Sequence, residues 1–190
     1  PEFVRLPGAQ MIIVNQTAAG LAVNQFVKHA GTQPEARIDL RNIRCLNGII
    51  QGIDRVLVPP ANAFRTLQAI APGSAVNALR TPELARQVTS EQEITLLWPA
   101  TGWDVTAPRE ALQKSLSQLW NATDYMVQGR VLYNNQSEPG QITLQTVSGT
   151  RLNVTITKDY RMEFNGIPVA ASNILIENGI LHIIERPLQP

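Results

Sequence analysis

Apolar residues return at helical spacing between residues 62 and 120 and alternate with polar ones beyond that stretch. Phe64, Leu67, Ile70 and Ala71 share one face of a helix predicted over 62–71, which Pro72-Gly73 ends. Ser74 is placed to cap a second helix carrying Ala75, Leu79, Leu84 and Val88, split at Pro82. Ile94-Thr95-Leu96-Leu97-Trp98 has the length and character of a buried strand, closed by Pro99. A third helix is predicted from Thr106, with Pro108 in its first turn and a core-facing stripe of Leu112, Leu116, Leu119 and Trp120. Strands follow. Tyr125 to Tyr133 is one, broken at Gly129, and 142–146 and 151–156 alternate around Ser148-Gly149. Residues 161–164 and 167–169 flank Asn165-Gly166, a strong two-residue hairpin signal, and 180–185 form a closing strand. Helices first and antiparallel strands later define an α+β class.

The pattern also repeats. Residues 47–59 and 178–190 are identical at 7 of 13 aligned positions, at a constant offset of 131. The same offset pairs Gln10 with Gln141, Leu21 with Leu152, Val23 with Val154, and Asn42-Ile43 with Asn173-Ile174, without a gap. Residues 61–190 therefore read as one full unit. Residues 1–60 read as the strand-rich C-terminal part of a preceding one, with Pro59-Pro60 as a rigid junction. Pro1-Glu2-Phe3 resembles a cloning scar and is set aside from the fold. The partial unit carries Met11 to Val14, Leu21, Val23, Phe26 and Ile49 to Val58 without helices to shield them, so this apolar surface is expected to be covered. Three covers are open: another molecule, the complete unit, or a missing piece of its own domain.

Charge and chemistry narrow the functions. In 190 residues, 16 Lys+Arg against 15 Asp+Glu give a net charge of +1, which is no footprint for nucleic acid. No apolar run is long enough to span a membrane, so direct insertion by this fragment is not expected. One cysteine excludes an internal disulfide framework. His182, Asp104, Glu110 and Asp124 beside Tyr125 are the available polar candidates, but no two have catalytic spacing; no catalytic residue, metal or cofactor is expected. Four N-glycosylation sequons begin at Asn15, Asn121, Asn135 and Asn153, against about one or two by chance for a three-residue pattern. They point to a secreted or lumenal glycoprotein. Alternation puts Asn153 opposite Leu152, Val154 and Ile156, so it can face solvent. Of Trp98, Trp103 and Trp120, only Trp103 sits in a Gly-containing turn, as a speculative sugar or partner contact.

On its closing segments the chain resembles the fasciclin-domain family. Asn47-Gly48-Ile49-Ile50 with Ile53-Asp54-Arg55-Val56-Leu57-Val58-Pro59, and Asn178-Gly179-Ile180-Leu181-His182-Ile183-Ile184-Glu185-Arg186, are similar to its C-terminal signature, Asn-Gly-Val-Ile-His-x-Ile-Asp-x-Val-Leu-x-Pro. Residues 94–103 resemble its first signature and Gly129 to Tyr133 the segment after its Tyr-His pair, where this chain has Asp124-Tyr125. Adhesive activity attributed to that pair is therefore not carried over. The resemblance implies helices packed on a strand-rich twisted β-sandwich or wedge. Asn-Gly is expected to supply a positive-φ turn. The Ile/Val/Leu run is expected to form a central strand buried on both faces, with Asp54 and Glu185 at its exit. His182 faces Gln51 across the repeat, so its expected role is a structural hydrogen bond.

The resemblance implies a non-enzymatic adhesion or protein-interaction module of a tandem protein, extracellular or lumenal and anchored in the full-length protein. Its partner would be a protein, a glycan or a second copy, held by weak multivalent contact. An alternative is the lumenal array of a membrane-anchored vacuolar or lysosomal protein in trafficking or fusion. A third is a small-ligand or glycan binder, or an enzyme.

Overall fold

The structure of the protein is a computed structural model that describes residues 2–5, 11–18, 20–24, 36–57, 59–70, 86, 88, 89, 93–100, 122–134 and 138–188. The chain divides into two compact units, Pro1–Pro60 and Ala61–Pro190. The first is an antiparallel sheet in chain order, β1 (Glu2–Arg5), β2 (Met11–Thr17), β3 (Gly20–Asn24), β4 (Ala36–Cys45) and β5 (Gly48–Ile53). Glu2 and Phe3, set aside as a scar, instead pair with Val14 and Ile13 in the β1–β2 ladder.

The second unit opens with α1 (Ala63–Ile70), where Asn62 is the N-cap. Its Oδ1 accepts the Arg65 N–H at 3.0 Å and its carbonyl accepts the Thr66 N–H at 3.0 Å. The helix buries Ala63, Phe64 and Leu67, as its spacing requires. Residues 86, 88 and 89 are helical and Val88 is buried. The rest of the predicted second helix, and the helix from Thr106, lie outside the described residues.

Seven strands form one sheet. These are β6 (Ile94–Pro99), β7 (Met126–Val127), β8 (Gly140–Gln145), β9 (Arg151–Ile156), β10 (Met162–Phe164), β11 (Ile167–Ile176) and β12 (Gly179–Ile184), in the spatial order β7-β6-β12-β11-β10-β9-β8. The predicted strand from Tyr125 to Tyr133 shrinks to two residues. Gly129 takes φ +70°, and the backbone of 130–132 bonds instead to the Thr95 side chain. Asn165 (φ 48°) and Gly166 (φ 72°) make the tight β10–β11 turn with both central residues left-handed. Across β8–β9, Leu144 faces Leu152 and Ile142 faces Val154, while Thr143 faces Asn153 and Gln145 faces Arg151. One side of the sheet is therefore core and the other polar.

All ladders are antiparallel except one. β6 runs parallel to β12, pairing Ile94 with Gly179 through Pro99 with Ile184. All six β6 residues are buried, and β12 is buried except for half-buried Ile183. The expected central strand is thus present. The reason given for its Asn-Gly is corrected: neither Gly48 nor Gly179 has positive φ. A Cβ on Gly179 would collide with the Ile94 carbonyl oxygen and stand 2.8 Å from the Ile94 nitrogen. The glycine is there because two backbones meet at that point.

The repeat is realised residue by residue in one hairpin. β4–β5 pairs Ile38 with Ile53, Leu40 with Gly52, Ile43 with Ile50, Arg44 with Ile49 and Cys45 with Gly48. β11–β12 pairs Val169 with Ile184, Ala171 with Ile183, Ile174 with Leu181, Leu175 with Ile180 and Ile176 with Gly179. Adding 131 to the first set yields the second, including both bulges. Asn42 (φ 56°) and Asn173 (φ 60°) occupy the same left-handed position in the second bulge. The preceding hairpins differ: β2–β3 pairs Thr17 with Gly20, whereas β8–β9 pairs Gln145 with Arg151.

Burial separates the copies. Ile49 and Ile50 are 60% and 54% exposed, whereas their counterparts Ile180 and Leu181 are 0% exposed. Leu40, Ile43, Ile53 and Val56 are exposed as well, so the expectation that this apolar surface is covered is not met. The reason is that β5 is the last strand of its sheet, with no neighbour in the place β6 takes beside β12.

Gly179→Ala is expected to destabilise residues 61–190 by about 3 kcal/mol, the upper range for overpacking where backbone must yield. Urea unfolding followed by tryptophan fluorescence reads this unit alone, because Trp98, Trp103 and Trp120 all lie within it. An unchanged midpoint would show that β6 and β12 are not held so closely.

Candidate functional site

The polar residues of the repeated hairpin converge on its second bulge. In the complete unit, the Asn173 backbone N–H donates to His182 Nδ1 at 3.4 Å, and His182 Nε2 lies 2.8 Å from the Leu132 carbonyl. A carbonyl only accepts, so Nε2 carries the proton and Nδ1 is the acceptor: the imidazole is neutral. The ring is fully buried and stands 5.7 Å from Phe164, centroid to centroid. Burial pushes its pKa down to about 4, partly opposed by the bond to Leu132. Asn173 Oδ1 accepts the Asn134 N–H at 3.2 Å, and its Nδ2 donates to Asn134 Oδ1. The Asn134 amide donates onward to the Tyr160 carbonyl and the Ser172 hydroxyl.

The partial unit closes the same bulge with different atoms. The Asn42 N–H donates to Gln51 Oε1 at 3.0 Å, and Gln51 Nε2 returns a bond to Asn42 Oδ1 at 2.9 Å. An amide oxygen and an unprotonated ring nitrogen are both acceptors of suitable reach, which is why Gln can stand where His stands. This is support of a left-handed bulge and involves no reacting group. Sequence reasoning missed the Asn134–Asn173 pair, although the shared Asn42 and Asn173 were a signal for it.

The other signature residues are also structural. Asn178 Nδ2 donates to the Val88 carbonyl at 2.8 Å, and its own carbonyl accepts the Ile94 N–H at 3.1 Å. Ile184 is core, whereas Ile53 is 38% exposed. Asp54 accepts the Arg37 N–H at 2.9 Å and pairs with Arg55 at 3.0 Å. The Arg55 guanidinium, then the Arg37 N–H, hold this carboxyl below the usual range. The Asp54 and Glu185 backbones donate to the Arg37 and Pro168 carbonyls, each at 3.0 Å, again one period apart.

The remaining candidates are not brought together. Trp98 is core. Asp124 ends a short 3-10 turn, Ala122–Asp124, and Tyr125 is buried with its hydroxyl accepting the Leu188 N–H at 2.9 Å. Burial raises the Tyr125 pKa, so it stays protonated. Asp104, Glu110, Trp103, Trp120, Asn121 and Asn135 lie outside the described residues. Among the described residues, no three His, Cys, Asp or Glu side chains group to hold a metal, and no helix is long and apolar enough to cross a membrane. Asn15 pairs with Ala22 in the β2–β3 ladder. Asn153 is exposed, its backbone N–H bonded to Asn165 Oδ1 at 2.8 Å and its Oδ1 accepting from the Thr143 hydroxyl at 3.1 Å. It lies in a shallow polar groove across β8, β9 and β10, with Gln141, Thr143, Arg151, Thr155 and Glu163.

An α+β module of this topology, whose buried polar groups all serve the backbone, is a scaffold that presents its surface. The comparisons agree. The Fasciclin domain family model matches residues 73–190, and the chain belongs to that family. A fasciclin-like arabinogalactan protein of Arthroderma benhamiae is 31% identical over 147 residues, 76% of this chain and 34% of that protein. A second, from Cercospora beticola, is 26% identical over 147 residues, 76% of this chain and 38% of that protein. The chain thus spans about a third of the length of these relatives. In structure it is similar to a FAS1 domain pair from the insect cell adhesion molecule fasciclin I, with TM-score 0.54 and 18% identity, over 95% of this chain and 67% of that one. That likeness shows the fold.

His182 makes stability pH-dependent. Its folded pKa of about 4 lies below the ordinary 6.5, so the unfolded chain takes up the proton first. The contribution is complete above pH 6.5 and is lost as pH falls towards 4, up to about 3 kcal/mol. His182→Gln should keep neutral-pH stability within about 1 kcal/mol and remove this acid loss, while His182→Leu should cost about 2 kcal/mol by orphaning the Asn173 N–H. Tryptophan-monitored urea unfolding at pH 7 and pH 4.5 checks this. Equal acid losses for parent and His182→Gln would disprove the assignment.

Proposed function

We propose that this chain is part of a tandem fasciclin-like protein acting as a non-enzymatic adhesion or protein-interaction module, outside the cell or in a lumen. On this reading residues 61–190 are a complete copy and residues 1–60 the C-terminal part of the copy before it. The observation that carries it is the hairpin shared at offset 131, with its bulges and left-handed asparagines. Family membership supports adhesion and interaction as the class of activity. Neutral, buried His182, spent on the backbone, supports a role without chemistry. The vacuolar and fusion alternative gains no support from the relatives.

The contact face proposed is the polar side of β8–β10, where Arg151 and Glu163 offer opposite charges on a nearly continuous hydrogen-bonding surface. Asn153 on the same face is the proposed glycan acceptor, with Thr155 as the sequon hydroxyl. Single-copy affinity would be weak, and repeated copies raise it through effective concentration.

Secretion from a eukaryotic host, followed by mass spectrometry before and after endoglycosidase, should show a glycan lost in Asn153→Gln; an unmodified Asn153 removes that assignment. Cells or candidate matrix proteins should attach to surfaces coated with the chain, and a dimerised chain should bind at least about 100-fold more tightly. Arg151→Glu should lower attachment without shifting the melting temperature. Trp103→Ala tests the sugar contact. Attachment that neither dimerisation nor Arg151→Glu alters would reject this face and mechanism.

A further inference from the structure

Gly48 marks a surface built for a partner. One period on, Gly179 has no room for a Cβ because β6 lies against it; a Cβ on Gly48 would meet nothing within 4 Å. Neither glycine has positive φ, so backbone conformation does not explain Gly48. Its hairpin repeats the β11–β12 register with both bulges, yet β5 is an edge strand whose residues on both faces are exposed. Cys45, paired with Gly48, is exposed, while its counterpart Ile176 is 2% exposed. A cysteine behaves as a small hydrophobe, so this position is suited to a core. The Asn47 carbonyl stands where the Asn178 carbonyl accepts the N–H that opens β6.

We propose that the free edge of β5 is a socket for a parallel strand of β6 character. That strand belongs to an upstream segment of the same polypeptide, one period before residues 94–99. The strand would pair with Gly48–Ile53, its backbone passing within contact distance of Gly48, and the segment around it would cover Ile43, Ile49, Ile50 and Cys45. The inference rests on the tandem-copy reading of residues 1–60. The relatives are about three times as long as the stretch this chain spans, which leaves room for such a segment.

The test uses Cys45, the sole cysteine, as the reporter. Residues 61–131 are added before Pro1, so that the period of 131 runs unbroken into the existing chain. Alkylation of Cys45 by a maleimide in native buffer should be fast in the parent. It should slow at least about 100-fold in the extended chain, as expected when access requires opening of a stable unit. Gly48→Val should leave the parent's rate and circular dichroism unchanged but restore most of the reactivity in the extended chain. As a second measurement, a synthetic peptide of residues 93–100 flanked by lysines should slow alkylation of the parent saturably, and not that of Gly48→Val. Cys45 as reactive in the extended chain as in the parent, together with no peptide effect, overturns the proposal. Protection indifferent to Gly48→Val does so too. Protection that grows with parent concentration alone makes a second copy the occupant and equally overturns it. Protection of Cys45 without cell attachment would fail the adhesion reading and leave the socket standing; attachment without protection would do the reverse.

Discussion

The parallel pairing of β6 with β12 holds the complete unit together. It places a wholly buried strand against another and brings their backbones closest at Gly179 and Ile94. The buried hydroxyl of Thr95, in the middle of β6, donates to the Arg130 carbonyl at 2.8 Å and accepts the Leu132 N–H at 2.9 Å. Leu132 in turn receives the His182 ring proton, and His182 supports the Asn173 bulge that Asn134 completes. A buried polar network is stable only when each member is satisfied, so each step here depends on β6 being seated.

That dependence explains the character of the signature residues. Asn178, Gly179 and His182 serve, respectively, to tie down residue 88, to admit a neighbouring backbone and to cap a bulge. None is exposed, and His182 is uncharged at neutral pH. Family features that lie so deep specify a scaffold. What varies between members is then free to lie on the outer faces, such as the polar side of β8–β10, where recognition costs the core nothing.

Much of this was legible from residues alone. The period of 131 located the unit boundary to be expected, Asn165-Gly166 fixed its hairpin through the φ it demands, and the all-apolar run at 94–98 declared a buried strand. The Gln51-for-His182 exchange indicated a structural hydrogen bond in place of catalysis. Other features leave no local trace. Parallel pairing depends on residues over 80 positions apart, so Gly179 looked like a turn glycine when its role is close approach. The two bulges extend β11 to Ile176 without a break in its apolar character, and the fate of 128–134 was set by a single distant threonine. The Asn134–Asn173 pair is likewise non-local. On the exposed hairpin the failure was of another kind. Apolar sequence announces what a strand is made to be buried by, and not whether that cover is present in the chain.

The near identity of the two hairpins also bears on how such a protein folds. β6 meets, in one polypeptide, two acceptor edges with the same register, the same bulges and a glycine at the same place. Tandem repeats of this kind risk pairing a strand with the wrong copy while both are forming. The differences between the copies then acquire a purpose beyond drift. Ile183 against Gly52 changes side-chain packing beside β6, and His182 against Gln51 changes what lies beneath it. Divergence between neighbouring repeats at these few positions would bias each strand towards its own partner, and so act as a proofreading device for the order in which the array assembles.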